Sequence, residues 1–459
     1  MIARISRLLF LLCLAAFLTV ACGDQAQTVE EPVDQPPAQP PVEQPTIISE
    51  AAFALLAQYS VVSIDSADVL AAGIDNIRQE LSMTGVVAPN VRTPVFGSDL
   101  QANLVQYRSV VELAIEQYGS KLSPAAINHA AIRGFVEEID DCHTTFLDPD
   151  QLAEQLAWLS GEISFGGVGA MLRKPEDSDM TIVVHVFKGG PASEAGLRAG
   201  DQIAAVDGQN VTNLSLREVV ELIRGVEGSE VVLTVLRAGE RGPIEIRIVR
   251  ASISPPGAEY EIIDDRLGYV RLYSISPPAA QEFDAAIREF SRRNLAGWII
   301  DLRGNSGGSL ESETVILSKL IQQGLLFYIW AKDGEREDFH ADGSFIGEPP
   351  PIVVLVNDAS TSGAEIMAAS IQEQGLGAVV GTRTAGCVGI GRLFQLPDES
   401  AMQITVARLF TGVRNSDLNG VGVVPDYPVD MLTEDIVAGV DPQMIKALEL
   451  LRPAAKAAS

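Results

Sequence analysis

Residues 353–366 read VVLVNDASTSGAEI. The apolar, β-branched residues 353–356 predict a buried strand, residues 357–362 form a small-residue turn, and an apolar helical pattern then runs to about Gln374. A strand, a tight turn and a helix in this order lift a hydroxyl to the edge of a sheet and direct free backbone N–H groups towards it. Such a turn can hold a nucleophile beside an anion-binding site, but Ser360 or Ser362 could equally be an ordinary N-cap.

Strand and helix patterns alternate on both sides of this turn. A helical pattern at residues 279–290 lies between two apolar strand patterns, and the Gly-rich turn RGNSGG, residues 303–308, precedes another helix. Repeated strand–helix units predict an α/β core with helices on the faces of the sheet. We place this core at residues 253–433 and a terminal helix within residues 434–459.

Two regions of different character come before the core. In residues 47–160 the apolar residues recur at helical spacing, which predicts a helical amino-terminal region. Residues 161–252 contain short strand patterns and Gly-rich turns, including FGGVGA at 165–170 and GPASEAGLRAGD at 190–201. This order resembles a PDZ domain. The resemblance implies that an extended peptide adds to the sheet with its carboxylate at the loop formed by Gly167, Val168 and Gly169.

The first residues predict export. Residues 1–22 contain two arginines and then an apolar run that is short for a membrane span and ends in small residues. Small residues directly before Cys22 resemble a bacterial lipobox, which implies lipidation of Cys22. Residues 23–46 are rich in Pro, Gln and Glu and predict an extended tether. We therefore expect a lipid anchor on the outer side of the cytoplasmic membrane, and a plain signal peptide is the alternative.

The composition describes a globular protein of several domains. The chain has 459 residues, of which 47% are hydrophobic and 20% are charged, so it can bury a sizeable core. A formal net charge of −28 and the lack of any Lys/Arg run argue against nucleic acid as a partner. The four histidines are scattered, so the sequence predicts no metal site. It indicates no cofactor and no particular oligomeric state.

Three segments together resemble one enzyme family. DLRGNSGG at 301–308, STSGAE at 360–365 and GVGVVPD at 420–426 resemble the carboxy-terminal processing (tail-specific) proteases, and they occur in the order of that family. The resemblance implies a ClpP/crotonase-like protease core with an inserted PDZ domain. It also implies that Ser362 is the nucleophile and that backbone N–H groups stabilise the oxyanion, supplied by Gly363, Gly307 and Gly308.

The general base departs from the common form of the family. Where that form has a lysine in a Thr-x-Gly-Lys motif, this chain reads TAGC and ends in Cys387. A branch similar to the tricorn-type core proteases uses a histidine from an Asp-x-His-Thr turn, which implies His143 as the base here. The position of the acidic residue that orients this histidine is matched by Asn419, and Glu373 is an alternative.

These motifs predict an exported serine endopeptidase that cleaves polypeptides by acyl transfer to Ser362. The alternative is a noncatalytic, peptide-binding pseudoprotease, favoured by Cys387 and Asn419 and disfavoured by the Ser362 turn and the Gly-rich turn. A hydrolase of small esters is disfavoured because it does not explain the PDZ-like segment. If the motifs meet around Ser362, Cys142 and Cys387 could form a disulfide.

Overall fold

The computed structural model describes residues 47–160, 165–175 and 177–452, all of which belong to one compact unit. The predicted signal peptide, the tether and Cys22 lie outside the described residues, as do the last residues of the predicted terminal helix. None of the helices in the described ranges combines the length and the apolar composition that a membrane span requires.

The amino-terminal region is helical, as the apolar spacing predicts. Asp65, Asp99 and Ser123 begin three of its helices, because each side chain accepts hydrogen bonds from N–H groups of the following turn. The buried rings of Phe53, Tyr107 and Phe135 pack together at the centre of the region. Its elements are α1 (Ile48–Tyr59), α2 (Ser66–Met83), α3 (Leu100–Tyr118), α4 (Pro124–Ile139), β1 (Thr145–Leu147) and α5 (Pro149–Ser160).

The PDZ-like segment forms its own sheet and its own apolar core. Its elements are β2 (Phe165–Gly167), β3 (Ala170–Arg173), β4 (Thr181–Val186), α6 (Pro191–Glu194), β5 (Gln202–Val206), β6 (Gln209–Asn210), α7 (Leu216–Ile223), β7 (Glu230–Leu236), β8 (Ile244–Val249) and β9 (Ala251–Ile253). The main sheet has the order β3-β4-β5-β7-β8, which leaves β3 at an edge. Strands β2 and β9 pair with each other, so the first and last strands of the PDZ-like segment lie side by side.

The α/β core is built on a second six-stranded sheet. Its elements are β10 (Ala258–Ile263), β11 (Leu267–Leu272), α8 (Pro277–Arg292), β12 (Gly297–Asp301), α9 (Leu310–Leu320), β13 (Leu325–Ala331), β14 (Arg336–His340), β15 (Ile352–Val356), α10 (Gly363–Glu373), β16 (Gly377–Gly381), β17 (Ile390–Gln395), β18 (Ala401–Thr411), β19 (Tyr427–Pro428), α11 (Thr433–Ala438) and α12 (Pro442–Leu450). The sheet order is β10-β11-β12-β15-β16-β19, with β11, β12, β15, β16 and β19 mutually parallel.

This parallel arrangement positions the two turns that the sequence singles out. Strands β12 and β15 are adjacent, and every residue of both is buried. Burial on both faces of a parallel sheet explains why their sequences are nearly continuous apolar runs. The Gly-rich turn follows β12 and the small-residue turn follows β15. Because parallel strands end at the same edge of a sheet, the two turns lie side by side. The prediction of an α/β core preceded by a PDZ-like segment and a helical amino-terminal region is confirmed.

A buried ion pair fixes the start of the Gly-rich turn. Arg303 donates to both oxygens of Asp301, at 2.9 and 2.6 Å, and Tyr269 donates a third hydrogen bond to the same carboxylate. Burial opposes ionisation, but the guanidinium groups of Arg303 and Arg271 hold the pKa of Asp301 below its usual range. Arg303 also pairs with Asp441 just before α12, so the carboxy-terminal helix and the turn are tied together.

A second sheet joins the helical region to the core. Strand β18 pairs with β17 and β13 of the core and also with β1 of the amino-terminal region. Phe394, Met402 and Ile404 from β17 and β18 are buried in the same apolar cluster as the amino-terminal helices. The helical region therefore shares its apolar core with the β17–β18 hairpin far along the chain, which supplies four of the buried residues in that cluster.

The PDZ domain contacts the core through polar side chains. Arg173 at the end of β3 lies 3.1 Å from Asp358, which belongs to the small-residue turn. On β4, His185 shares hydrogen bonds with Glu259 and Tyr273 of the core, at 3.1 and 2.7 Å. The edge strand of the PDZ sheet thus touches the turn that carries Ser362.

Candidate active site

Ser362 occupies a strained backbone conformation at the start of α10. Its φ of 56° and ψ of −123° lie in a region that residues with a Cβ rarely adopt, at a cost on the order of 1–3 kcal/mol. Its hydroxyl makes no capping hydrogen bond to the helix. By contrast, Ser360 is fully buried and donates to the Leu302 carbonyl at 2.7 Å. Ser360 is therefore structural, and Ser362 presents the unused hydroxyl.

The Glu365 carboxylate holds the small-residue turn against a loop formed by residues 384–388. It is fully buried and accepts hydrogen bonds from four donors: the N–H of Ser362 (3.1 Å), the hydroxyl of Thr384 (2.6 Å), and the N–H groups of Gly386 (2.8 Å) and Cys387 (2.9 Å). Burial raises the pKa of Glu365, and the four donors oppose that rise. The sequence suggested no role for Glu365, although Ser-x-x-Glu spacing is a known signal for such a bond.

The Gly-rich turn lies directly over Ser362. A Cβ at Gly307 would stand 3.1 Å from the Ser362 Oγ and 2.8 Å from the Gly363 nitrogen. The N–H of Gly307, one of the predicted oxyanion donors, donates to Asn305 Oδ1 at 2.8 Å and so already has a partner within its turn. Gly307 instead leaves space for the hydroxyl.

The other two predicted donors remain available within the described chain. Gly363 is the first residue of α10. The N–H groups of a first helical turn have no partner within the helix, and the positive end of the helix dipole lies there. The carbonyl of Gly307 and the N–H of Ser309 both bond to Ile275, so the N–H of Gly308 points away from Ile275. No acceptor for the N–H of Gly363 or Gly308 occurs among the described residues.

Glu313 on α9 is a buried acid that the sequence did not bring to notice. A Cβ at Gly363 would lie 2.9 Å from its Oε2, and its Oε1 has no hydrogen-bond partner in the described part of the chain. Burial alone raises its pKa well above the ordinary value. Burial therefore disfavours a negative charge on this acid, which lies close to Gly363 at the amino terminus of α10.

The two cysteines of the folded region form a disulfide, as hypothesised. Cys142 and Cys387 are joined with their Cα atoms 5.9 Å apart, although 245 residues separate them in sequence. Nδ1 of His143 lies 3.4 Å from each sulfur. The carbonyl of Cys387 accepts the N–H of Ser362 at 2.8 Å. Cys387 thus contacts both Ser362 and His143.

His143 is half-buried, and it makes no hydrogen bond to Ser362 within the described residues. Burial lowers the pKa of its imidazole, and the nearby carboxylate of Asp141 opposes the shift. Asp141 is held by the hydroxyls of Thr144 and Thr405, and Gln403 donates to the His143 carbonyl at 3.0 Å. The turn is therefore anchored to β18, which holds the imidazole beside Cys387. Burial favours the neutral form of that imidazole.

Comparison with known proteins decides the family. The profile described as Peptidase family S41 matches residues 266–429, and a PDZ domain profile matches residues 168–237. A carboxyl-terminal-processing protease of Synechocystis is 32% identical over 330 residues, covering 70% of this chain and 76% of its own. The carboxy-terminal processing protease CtpA of Bacillus subtilis is 33% identical over 295 residues, covering 64% of this chain and 62% of its own. This chain belongs to peptidase family S41.

A solved structure gives the same architecture. A protein of Bacteroides fragilis described as an S41 protease superimposes with a TM-score of 0.53 at 19% identity, covering 70% of this chain and 89% of its own. At that identity the likeness concerns the fold alone. The sequence relatives are named as processing proteases, so this S41 peptidase is a serine hydrolase and the pseudoprotease alternative is not supported.

Three lysines of the described residues have partners in segments other than the Ser362 turn. Lys319 pairs with Asp284, Lys332 donates to the Ala57 carbonyl, and Lys446 lies near Glu449. The position of the family lysine is filled by the disulfide of Cys387. A lysine base is therefore excluded at that position.

Neither residue predicted to orient His143 bonds to it in the described chain. Asn419 is exposed and accepts the N–H of Val388 at 3.2 Å. Glu373, at the end of α10, accepts hydrogen bonds from Thr411 at the end of β18 and from Arg414 and Ser416 in the loop that follows. The carboxylate that affects the ring is Asp141, whose negative charge raises the pKa of His143 against the effect of burial. Cys142, His143 and Cys387 also meet the spacing of metal ligands, but both sulfurs are bonded to each other and are not ligands in this structure.

The packing of Gly307 against Ser362 leads to a first prediction. We expect Gly307→Ala to lower kcat/KM by about 100-fold, because an added methyl displaces the hydroxyl and misplacement of about 1 Å costs that much. Gly304→Ala is the matched control, since Gly304 also has a positive φ, 73° against 84°, but has nothing within 4 Å of an added Cβ. The test is to measure kcat/KM for peptide hydrolysis by the Gly307→Ala and Gly304→Ala variants. Equal losses would refute the steric role of Gly307.

Proposed function

We propose that Ser362 is the nucleophile of this S41 peptidase and that His143 is its general base. The observation that carries the proposal is the position of Cys387, whose carbonyl accepts the Ser362 N–H and whose sulfur contacts the His143 ring. Hydrogen bonds of catalytic groups are often long in the absence of substrate. The lack of a His143–Ser362 bond is compatible with a pair that closes when a peptide binds.

The reaction follows from these positions. His143 takes the proton of Ser362 as the hydroxyl attacks the peptide carbonyl, and the N–H groups of Gly363 and Gly308 stabilise the oxyanion. His143 then gives the proton to the leaving amine, and a water molecule releases the acyl group in the same way. Glu313 lies close to Gly363, and burial disfavours a negative charge on it that would oppose the developing oxyanion.

Labelling with a fluorophosphonate tests this assignment. We expect the wild-type protein to react, Ser362→Ala not to react, and His143→Ala to react at least about 100-fold more slowly, because a general base contributes that much. His340→Ala is the control, since His340 is exposed on β14. The base assignment fails if His143→Ala reacts as fast as the control.

The same labelling reaction should depend on pH in a defined direction. The base must be neutral, and burial lowers the pKa of His143 from its ordinary value of 6.5. The rate should therefore be constant at neutral pH and should decline only as the pH falls through a value below 6.5.

We also propose that the PDZ domain selects substrates by their carboxyl terminus. The free edge of β3 can take an added strand, and the Gly167, Val168 and Gly169 loop at its start would bind the carboxylate through N–H groups. The contact of Arg173 with Asp358 links this edge to the small-residue turn.

A peptide pair tests the PDZ proposal. A substrate with a free carboxyl terminus should be cleaved with a KM roughly tenfold lower than its amidated counterpart, because hydrogen bonds to a charged group contribute about 1.5–3 kcal/mol. An internal cleavage site shared by both peptides keeps the chemistry constant. Equal KM values for the two peptides would show that the enzyme does not recognise the terminal carboxylate.

Export and a lipid anchor at Cys22 complete the proposal. They are supported by the apolar run, by the small residues before Cys22 and by the Pro-rich segment that follows. Expression in a bacterial host with labelled palmitate should label the wild-type protein and not Cys22→Ala. Absence of label in the wild type, or equal label in the variant, would contradict the anchor.

A further inference from the structure

We propose that the Cys142–Cys387 disulfide is a thiol-exchange site through which a dithiol reductant switches the peptidase off. Cys142 is exposed and Cys387 is half-buried, so an incoming thiolate reaches the Cys142 sulfur more easily. The bond occupies the position of the family lysine and touches the imidazole of His143. The inference rests on the proposed function, because it acts on His143 as the base.

The oxidised form keeps His143 neutral. Three elements meet at the His143 turn: the turn itself, the 384–388 loop and strand β18. The turn contributes the carboxylate of Asp141, and the loop contributes to a disulfide without charge, whose two sulfurs each lie 3.4 Å from Nδ1. Strand β18 contributes the neutral Gln403, which donates to the His143 carbonyl, and Thr405, which donates to Asp141. Burial outweighs the single carboxylate, so the imidazole is free to accept the proton of Ser362.

Reduction changes these charges by a balanced exchange. One thiolate of the dithiol attacks the Cys142 sulfur, the disulfide breaks, and Cys387 leaves as a thiolate. The second thiolate of the dithiol then displaces Cys142 and closes the disulfide of the reductant. Two electrons and two protons pass from the dithiol to Cys142 and Cys387.

The reduced pair then competes with Ser362 for the base. A thiol 3.4 Å from Nδ1 can transfer its proton to the imidazole, and a thiolate–imidazolium pair is stable in such surroundings. A protonated His143 cannot accept the proton of Ser362. Reduction should therefore inactivate the peptidase at neutral pH, and activity should return at alkaline pH where the imidazolium ionises.

The experiment measures fluorophosphonate labelling of the full-length protein in detergent between pH 5 and 10, before and after dithiothreitol. Alkylation of the peptides containing Cys142 and Cys387, read by mass, confirms reduction. We expect at least a tenfold slower reaction at pH 7, since a shift of about one pKa unit changes the neutral fraction tenfold. The difference should shrink at high pH, and reoxidation should restore the rate.

The Cys142→Ala/Cys387→Ala variant is the control and should show no response to dithiothreitol. An unchanged or faster reaction after reduction overturns the inference. A loss by the same factor at every pH also overturns it, because the disulfide would then only hold the turn in place. These outcomes differ from failure of the proposed function, in which oxidised His143→Ala would react as fast as the oxidised wild type.

Discussion

One buried carboxylate organises the active site. Glu365 is fully buried and accepts hydrogen bonds from the N–H of Ser362 and from three donors of the 384–388 loop. A buried acceptor with four donors leaves each segment little freedom, because a donor that moved away would lose its partner in a medium that offers no water. The strained conformation of Ser362, the position of Cys387 and so the place of His143 all depend on this group.

Much of the fold follows from local sequence patterns. The apolar run before the small-residue turn and the helical pattern after it become β15 and α10 within one or two residues. The Gly-rich turn after β12 is likewise placed by its strand, because buried parallel strands need continuous apolar residues. The sharing of one apolar core between the amino-terminal helices and β18 was not predicted, since it depends on contacts between residues distant in sequence.

The site was predicted less completely than the fold. The pairing of Cys142 with Cys387 was hypothesised from the motifs that contain them and is present in the structure, whereas Ser362 as the nucleophile stays a prediction. The steric role of Gly307 depends on how two turns stack, which spacing along the chain does not reveal. Asn419 was assigned by matching positions, and in the structure its side chain is bound to the 384–388 loop instead.

Strand β18 has a consequence for the timing of activity. It is the element to which the segment carrying His143 attaches, and it lies after Ser362 in the chain. A ribosome must therefore have released residues beyond 411 before the turn that carries His143 can be held near Ser362. Until then the growing polypeptide lacks the pair of residues that we propose as base and nucleophile.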